Sequence, residues 1–282
     1  MKKKVLIPVD FSKNAWNAIT YAMNLFKGEH CEFYILNTFY LGGFSNENLL
    51  IAKPSDSAYE AIKKTSEEKM DKLKTQIEFR DDSPGHRFHF HCEFGPLTDV
   101  IKRFIRKKDI EFMVMGTRGE TDSKDLIFGS NTINMMENIQ ACPVLAVPGN
   151  VAFKEPNEIV FPTNFKTYYK RRELYYLIDI AKLTHAPIRI LHIQQKDKLS
   201  EKQKDNKALL EDIFENVEFS HHTMEKMDVK KGLHKFVESR NSDMIAFINR
   251  KHTFFGSIFS NPMVRELGVY ATVPVLAMRD IL

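Results

Sequence analysis

The chain has 282 residues, length for two domains of about 140 each, and a domain of that size buries enough surface to fold without staples. Its composition (43% hydrophobic, 28% charged) is ordinary for a soluble globular protein. A formal charge of +4 is small against 41 basic and 37 acidic residues, and the basic runs at 2–4, 103–108 and 170–172 are short and scattered. They read as solvated faces rather than a nucleic-acid stripe.

Three cysteines (Cys31, Cys92, Cys142), with no CxxC pair, point to reduced core residues. The lysines at 2–4 precede an apolar stretch, 5–9, that is too short for a secretory leader and runs into Asp10. No run approaches the roughly 20 apolar residues of a membrane span. The expectation is a cytoplasmic protein that contacts neither membrane nor nucleic acid.

In chain order, 5–9 (Val-Leu-Ile-Pro-Val) reads as a strand buried on both faces. Ser12 follows as an N-cap, and Trp16, Ile19, Met23 and Phe26 recur at helical spacing. Residues 33–36 form the second strand, 41–57 a loop rich in turn residues, and 58–80 a charged amphipathic helix. Residues 88–94 alternate strictly, predicting a strand with one apolar face and with His89 and His91 on its polar face. Gly95-Pro96 then opens a helix carrying Leu97, Ile101 and Ile105. Strands at 112–115 and 144–147 bracket a final helix near 130–139.

The second half repeats this order. Strands at 158–162, 188–193, 217–221, 244–248 and 274–278 match those of the first half, down to Pro274-Val275-Leu276-Ala277 against Pro143-Val144-Leu145-Ala146. Five ordered correspondences indicate an internal duplication. The predicted architecture is α/β, two tandem doubly wound parallel five-stranded sheets: residues 1–148, a linker at 149–157, and 158–282.

The chemistry-bearing motif is Gly116-Thr117-Arg118-Gly119, nine residues, then Gly129-Ser130-Asn131. It starts at the end of the fourth strand, and in open parallel sheets ligands bind outside strand carboxyl ends where the winding reverses. Gly116 and Gly119 let backbone approach a ribose or phosphate. Gly129, Ser130 and Asn131 open a helix whose free N–H groups suit an anion. Asp10, at the end of the first strand, suits a ribose hydroxyl or a metal carrying the phosphates. His86, His89 and His91 offer a weaker metal-binding alternative.

The glycine motif, the opening Pro8-Val9-Asp10-Phe11-Ser12 and the closing Cys142-Pro143-Val144-Leu145-Ala146-Val147-Pro148 resemble the universal stress protein family. The resemblance spans the chain as two tandem domains and implies a flavodoxin-like, HUP-type fold related to the adenine nucleotide alpha hydrolases. In the family's ATP-binding branch these positions contact nucleotide. The resemblance therefore implies ATP (or AMP or ADP), with or without Mg2+. Gly116, Gly119, Gly129, Ser130 and Asn131 fall on ribose and phosphate, Asp10 on the ribose side and Thr38 on adenine; Arg118, within the motif, is a further candidate for phosphate charge. It also implies pairing of domains through the last strand, here within one chain, with scope for a homodimer of whole chains and for a protein partner.

The second half departs from the motif. Gly116 corresponds to Ile248, Gly119 to Lys251, Gly129-Ser130 to Ser260-Asn261, and Asp10 to Asn164. The expectation is one nucleotide site, in the first half. No GxxxxGK[ST] loop or assignable general base is present, so no catalytic residues are named. A regulatory binding module is favoured over a slow ATPase or a nucleotide-independent interaction protein.

Overall fold

Where apolar residues run unbroken, as at Val5, Leu6 and Ile7, the chain has no solvent-facing side, and all three side chains are fully buried in β1 (Lys3–Val9). The computed structural model describes residues 2–40, 57–117, 128–194, 198–225, 227–250 and 272–279. In chain order these hold β1, α1 (Lys13–Leu25), β2 (Cys31–Phe39), α2 (Ser57–Arg80), β3 (His86–Phe94), α3 (Leu97–Lys108), β4 (Phe112–Gly116), α4 (Ser130–Asn138) and β5 (Val144–Val147). The second half follows with β6 (Ile159–Pro162), α5 (Arg171–Thr184), β7 (Ile188–Ile193), α6 (Glu201–Phe214), β8 (Phe219–Met224), α7 (Val229–Arg240), β9 (Met244–Asn249) and β10 (Val275–Arg279).

The strands form one ten-stranded sheet in the order β3-β2-β1-β4-β5-β10-β9-β6-β7-β8. Each half is parallel, and β4 lies beside β1. The halves meet where β10 pairs antiparallel with β5. The two duplicated sheets are therefore one continuous surface, and their strand carboxyl ends open at opposite edges of it.

Helices cover both faces. α1, α2, α5 and α6 bury one layer around Ile19, Leu73, Leu177 and Phe214, and α3, α4 and α7 bury the other around Phe104, Met135 and Leu233. In α1, Ser12 Oγ accepts from the Ala15 N–H at 3.2 Å, a cap worth about 1 kcal/mol. The buried stripe of α1 is Ala15, Ala18, Ile19, Ala22 and Met23. Trp16, expected on that stripe, sits at its edge and is half-buried. In β3, Phe88, Phe90 and Cys92 pack on the core, while on the polar face His89 stays part-exposed although it stacks on Tyr34 (ring centroids 4.7 Å apart), and His91 meets Phe104 at 5.0 Å. β8 begins at Phe219, two residues later than expected.

Several contacts bind the halves beyond the strand seam. Lys3 Nζ lies 2.5 Å from Asp179 Oδ2, and the Phe112 and Tyr176 rings meet at a tilt of 56° with centroids 5.7 Å apart. The connecting residues 148–158 carry no helix or strand and are strapped down. Asn17 Nδ2 donates to the Pro148 and Val151 carbonyls, Phe153 packs on Tyr21, and the Asn157 N–H donates to Asp243. Ahead of β6, the buried Glu158 carboxylate accepts from Arg240 (2.8 and 2.9 Å), Arg189 (3.0 Å) and Ser242 (2.6 Å). It fastens three elements at the amino ends of the second-half strands.

Candidate functional site

The winding of the first half reverses between β1 and β4, so their carboxyl ends flank a crevice. At its β1 side Asp10 Oδ1 accepts from the Ser12 N–H at 3.0 Å. This side-chain turn supports Phe11 in the left-handed region (φ 63°) and redirects the chain into α1. The second half keeps the same device: Asn164 Oδ1 accepts from the Lys166 N–H at 3.0 Å, with Phe165 at φ 55°. Asp10 and Asn164 thus share a turn and differ in charge.

On the β4 side, a Cβ on Gly116 would stand 2.9 Å from the Asn14 carbonyl oxygen. The glycine that the sequence suggested for ligand approach is required first by the approach of α1. The chain leaving β4 is stitched to the start of α4. The Thr117 N–H donates to Val147, the Gly129 N–H to the Thr117 carbonyl, and Thr132 Oγ1 to the Gly116 carbonyl at 2.9 Å. Gly129 is the N-cap of α4 and supplies no side-chain cap, while Ser130 and Asn131 are exposed just inside the helix. The positive end of α4 is therefore presented at the strand end. Arg118 and Gly119 lie outside the described residues.

Thr38 is half-buried near the end of β2, and the register of Val9 with Asn37 sets it level with Asp10. The neighbour it follows is structural. Asn37 Nδ2 donates to the Val9 carbonyl at 2.7 Å and Asn37 Oδ1 accepts from Ser66. In the second half His192 Nδ1 makes the equivalent bond to the Thr163 carbonyl at 2.9 Å. These two strand-end ties were missed in the sequence, although a polar residue closing an apolar strand was the available signal.

The equivalent place in the second half is filled by its own side chains. Arg250, in the position matching Arg118, turns inward. Its Nη2 lies 3.3 Å from Glu173 Oε2 and 3.1 Å from the Tyr168 carbonyl, and the guanidinium stands 5.2 Å from the Tyr169 ring centre. The Glu173 side chain is fully buried in the first turn of α5, where it also caps the Lys170 N–H. Tyr169 shares a hydrogen bond with Thr163, and burial pushes its hydroxyl pKa up. The segment that leaves β9 thus begins with two inward residues, since Asn249 is buried as well. Lys251 and Ser260-Asn261 lie outside the described residues.

The histidine alternative loses its geometry. His86 sits on the opposite face of β3 from His89 and His91, with Nδ1 2.8 Å from Asp81 and Nε2 3.0 Å from the Phe26 carbonyl. Among the described residues no group of three or more His, Cys, Asp or Glu is placed to hold a metal. Cys31 and Cys142 are buried free thiols, both pushed up to about 12 by burial, and so behave as core residues; Cys92 is half-buried. No helix among the described residues is long and apolar enough to cross a membrane.

A doubly wound sheet with a helix N-terminus and a carboxylate at its reversal point defines a class of strand-end ligand binders. Comparisons narrow that class. Residues 1–148 match the Universal stress protein family. The chain is 26% identical over 145 residues to universal stress protein MJ0531 of Methanocaldococcus jannaschii, a match spanning 51% of this chain and 81% of that one. A universal stress protein structure from Archaeoglobus fulgidus superposes over 98% of both chains with a TM-score of 0.71 at 19% identity. The cytoplasmic domain of a prokaryotic cation chloride cotransporter superposes over 99% of this chain and 96% of its own, with a TM-score of 0.53 at 10% identity. These two likenesses concern fold alone. The chain belongs to the universal stress protein family.

Proposed function

We propose that this universal stress protein is a regulatory module that holds one adenine nucleotide, ATP or its AMP and ADP relatives, in residues 1–148. In this reading, residues 158–282 act as a built-in partner that binds none. The observation that carries the proposal is the contrast between the two crevices. The first has Gly129, which brings no capping side chain, opening α4 after the strand next to the one that ends at Asp10, whereas the strand end of the second holds the Arg250–Glu173 pair.

The residues present suit a nucleotide. The backbone N–H groups opening α4 and the Ser130 hydroxyl provide donors for phosphate oxygens. Asp10 sets a carboxylate at the end of β1, where it suits a ribose hydroxyl or a phosphate-bound Mg2+. Thr38 stands on the adenine side. Nucleotide binding would shift any equilibrium between arrangements of the halves only to the extent that the arrangements differ in affinity.

Calorimetry of the full chain with ATP and Mg2+ tests this reading. The expected stoichiometry is one per chain. Two equivalent sites would overturn the assignment of the second half, and no heat or thermal shift at millimolar ATP would overturn the nucleotide reading altogether.

A further inference from the structure

We propose that the groove between α1 and α2 docks an acidic peptide segment carrying a large apolar anchor. It is a concavity of about 710 Å³ lined by Phe11, Lys13, Trp16, Gln76, Phe79 and Arg80, with Ser12 at the start of α1. Phe79 is 94% exposed in the last turn of α2. One exposed apolar residue is unremarkable, but a fully presented ring beside two further rings around a concavity has the form of an anchor pocket.

Charge selects the occupant. The lining holds two cations and no carboxylate, and among the described residues neither Lys13 nor Arg80 forms an ion pair. The neighbouring acids are engaged elsewhere: Asp82 faces Lys27 at 3.2 Å and Glu78 faces Lys74 at 3.9 Å. Lys69 stands 5.8 Å from the Phe11 ring centre, and the α1 N-terminus adds its positive dipole end. An acidic segment meets all of these, and an aromatic or leucine side chain enters among the rings. A second copy docking symmetrically on this face would bring cation against cation. The groove shares Phe11 and Ser12 with the Asp10 turn, but Phe79 and Arg80 belong to the last turn of α2 and are not among the candidate nucleotide residues, so variants there test docking apart from the nucleotide reading.

The test selects a random peptide display library on the full chain, with the F79S/R80E double variant as decoy. Both positions are on the surface, and circular dichroism and thermal unfolding check that the decoy keeps the fold. The expected enrichment is of Asp and Glu flanking Phe or Leu. Trp16 is the only tryptophan in the chain, so a tryptophan-free synthetic version of the best peptide can be titrated by intrinsic emission. The expected result is a shifted emission that weakens with salt, and a Kd raised roughly tenfold by Phe79→Ser and by Arg80→Glu separately. No enrichment over the decoy, enrichment of neutral or basic sequences, or undiminished binding to either variant would overturn the proposal. So would sedimentation showing a dimer of the chain that Phe79→Ser dissolves, because the occupant would then be a second copy.

Discussion

Asn249 Nδ2 donates to the Met136 carbonyl at 2.7 Å, joining the end of β9 to α4. The strand end of the second half thereby holds the helix whose opposite end opens the candidate nucleotide crevice of the first. The bond is buried, so it is a fixed part of the seam rather than a surface contact.

Replacing Asn249 by Leu leaves the Met136 carbonyl unpartnered. The expected cost is about 1–3 kcal/mol in urea unfolding. Hydrogen exchange should report faster opening in α4 and β9 than in α2, and uniform exchange across the three elements would argue against a local role.

Asp10→Asn separates charge from turn. Because Asn164 makes the same turn in the second half, the variant should unfold within about 0.5 kcal/mol of the parent. Its ATP affinity should nevertheless fall by roughly tenfold, about 1.4 kcal/mol, if the carboxylate serves the ligand. Asp10→Ala should lose stability as well. Unchanged ATP affinity in the Asn variant would remove Asp10 from the site.

Gly116→Ala should destabilise the protein by about 1–3 kcal/mol with or without nucleotide, because the added methyl meets α1 backbone rather than a flexible side chain. Loss of ATP binding in this variant therefore says little about direct contact. Ser130→Ala is the cleaner probe, since Ser130 is exposed at the start of α4. It should leave thermal unfolding unchanged and weaken ATP.

The parallel strands were legible because double-sided burial leaves a local signature: unbroken apolar runs at 5–9, 112–115 and 144–147, repeated with their prolines in the second half. Asp10 and Gly116 were legible because they follow such runs directly. What was hidden depends on partners distant in sequence. Arg250 turns inward because Glu173 lies buried on another element, and His91 packs inward because Phe104 projects from α3. Periodicity within one segment carries no information about either partner. Trp16 follows the helical period yet faces the groove, since the period defines an angular stripe and leaves its width open.

Glu158 should make stability fall in acid. Burial raises its carboxyl pKa, but hydrogen bonds from Arg240, Ser242 and Arg189 outweigh burial and bring it to about 2, below its ordinary 4.5. A depressed folded value means that the stabilisation is complete above about pH 4.5 and is lost as pH falls toward 2. Glu158→Gln should cost about 3 kcal/mol at pH 7, and its difference from the parent should shrink as pH is lowered through that window. A constant difference from pH 7 to pH 2 would contradict the assignment.

The β5–β10 seam is closed within one polypeptide, over the short strapped connection at 148–158. An intermolecular seam dissolves on dilution, whereas here a tether sets the effective concentration of one half around the other. Unfolding midpoints should therefore be insensitive to protein concentration. The covalent join also fixes the ratio of the halves, so every molecule carries one Asp10 edge and one Arg250 edge.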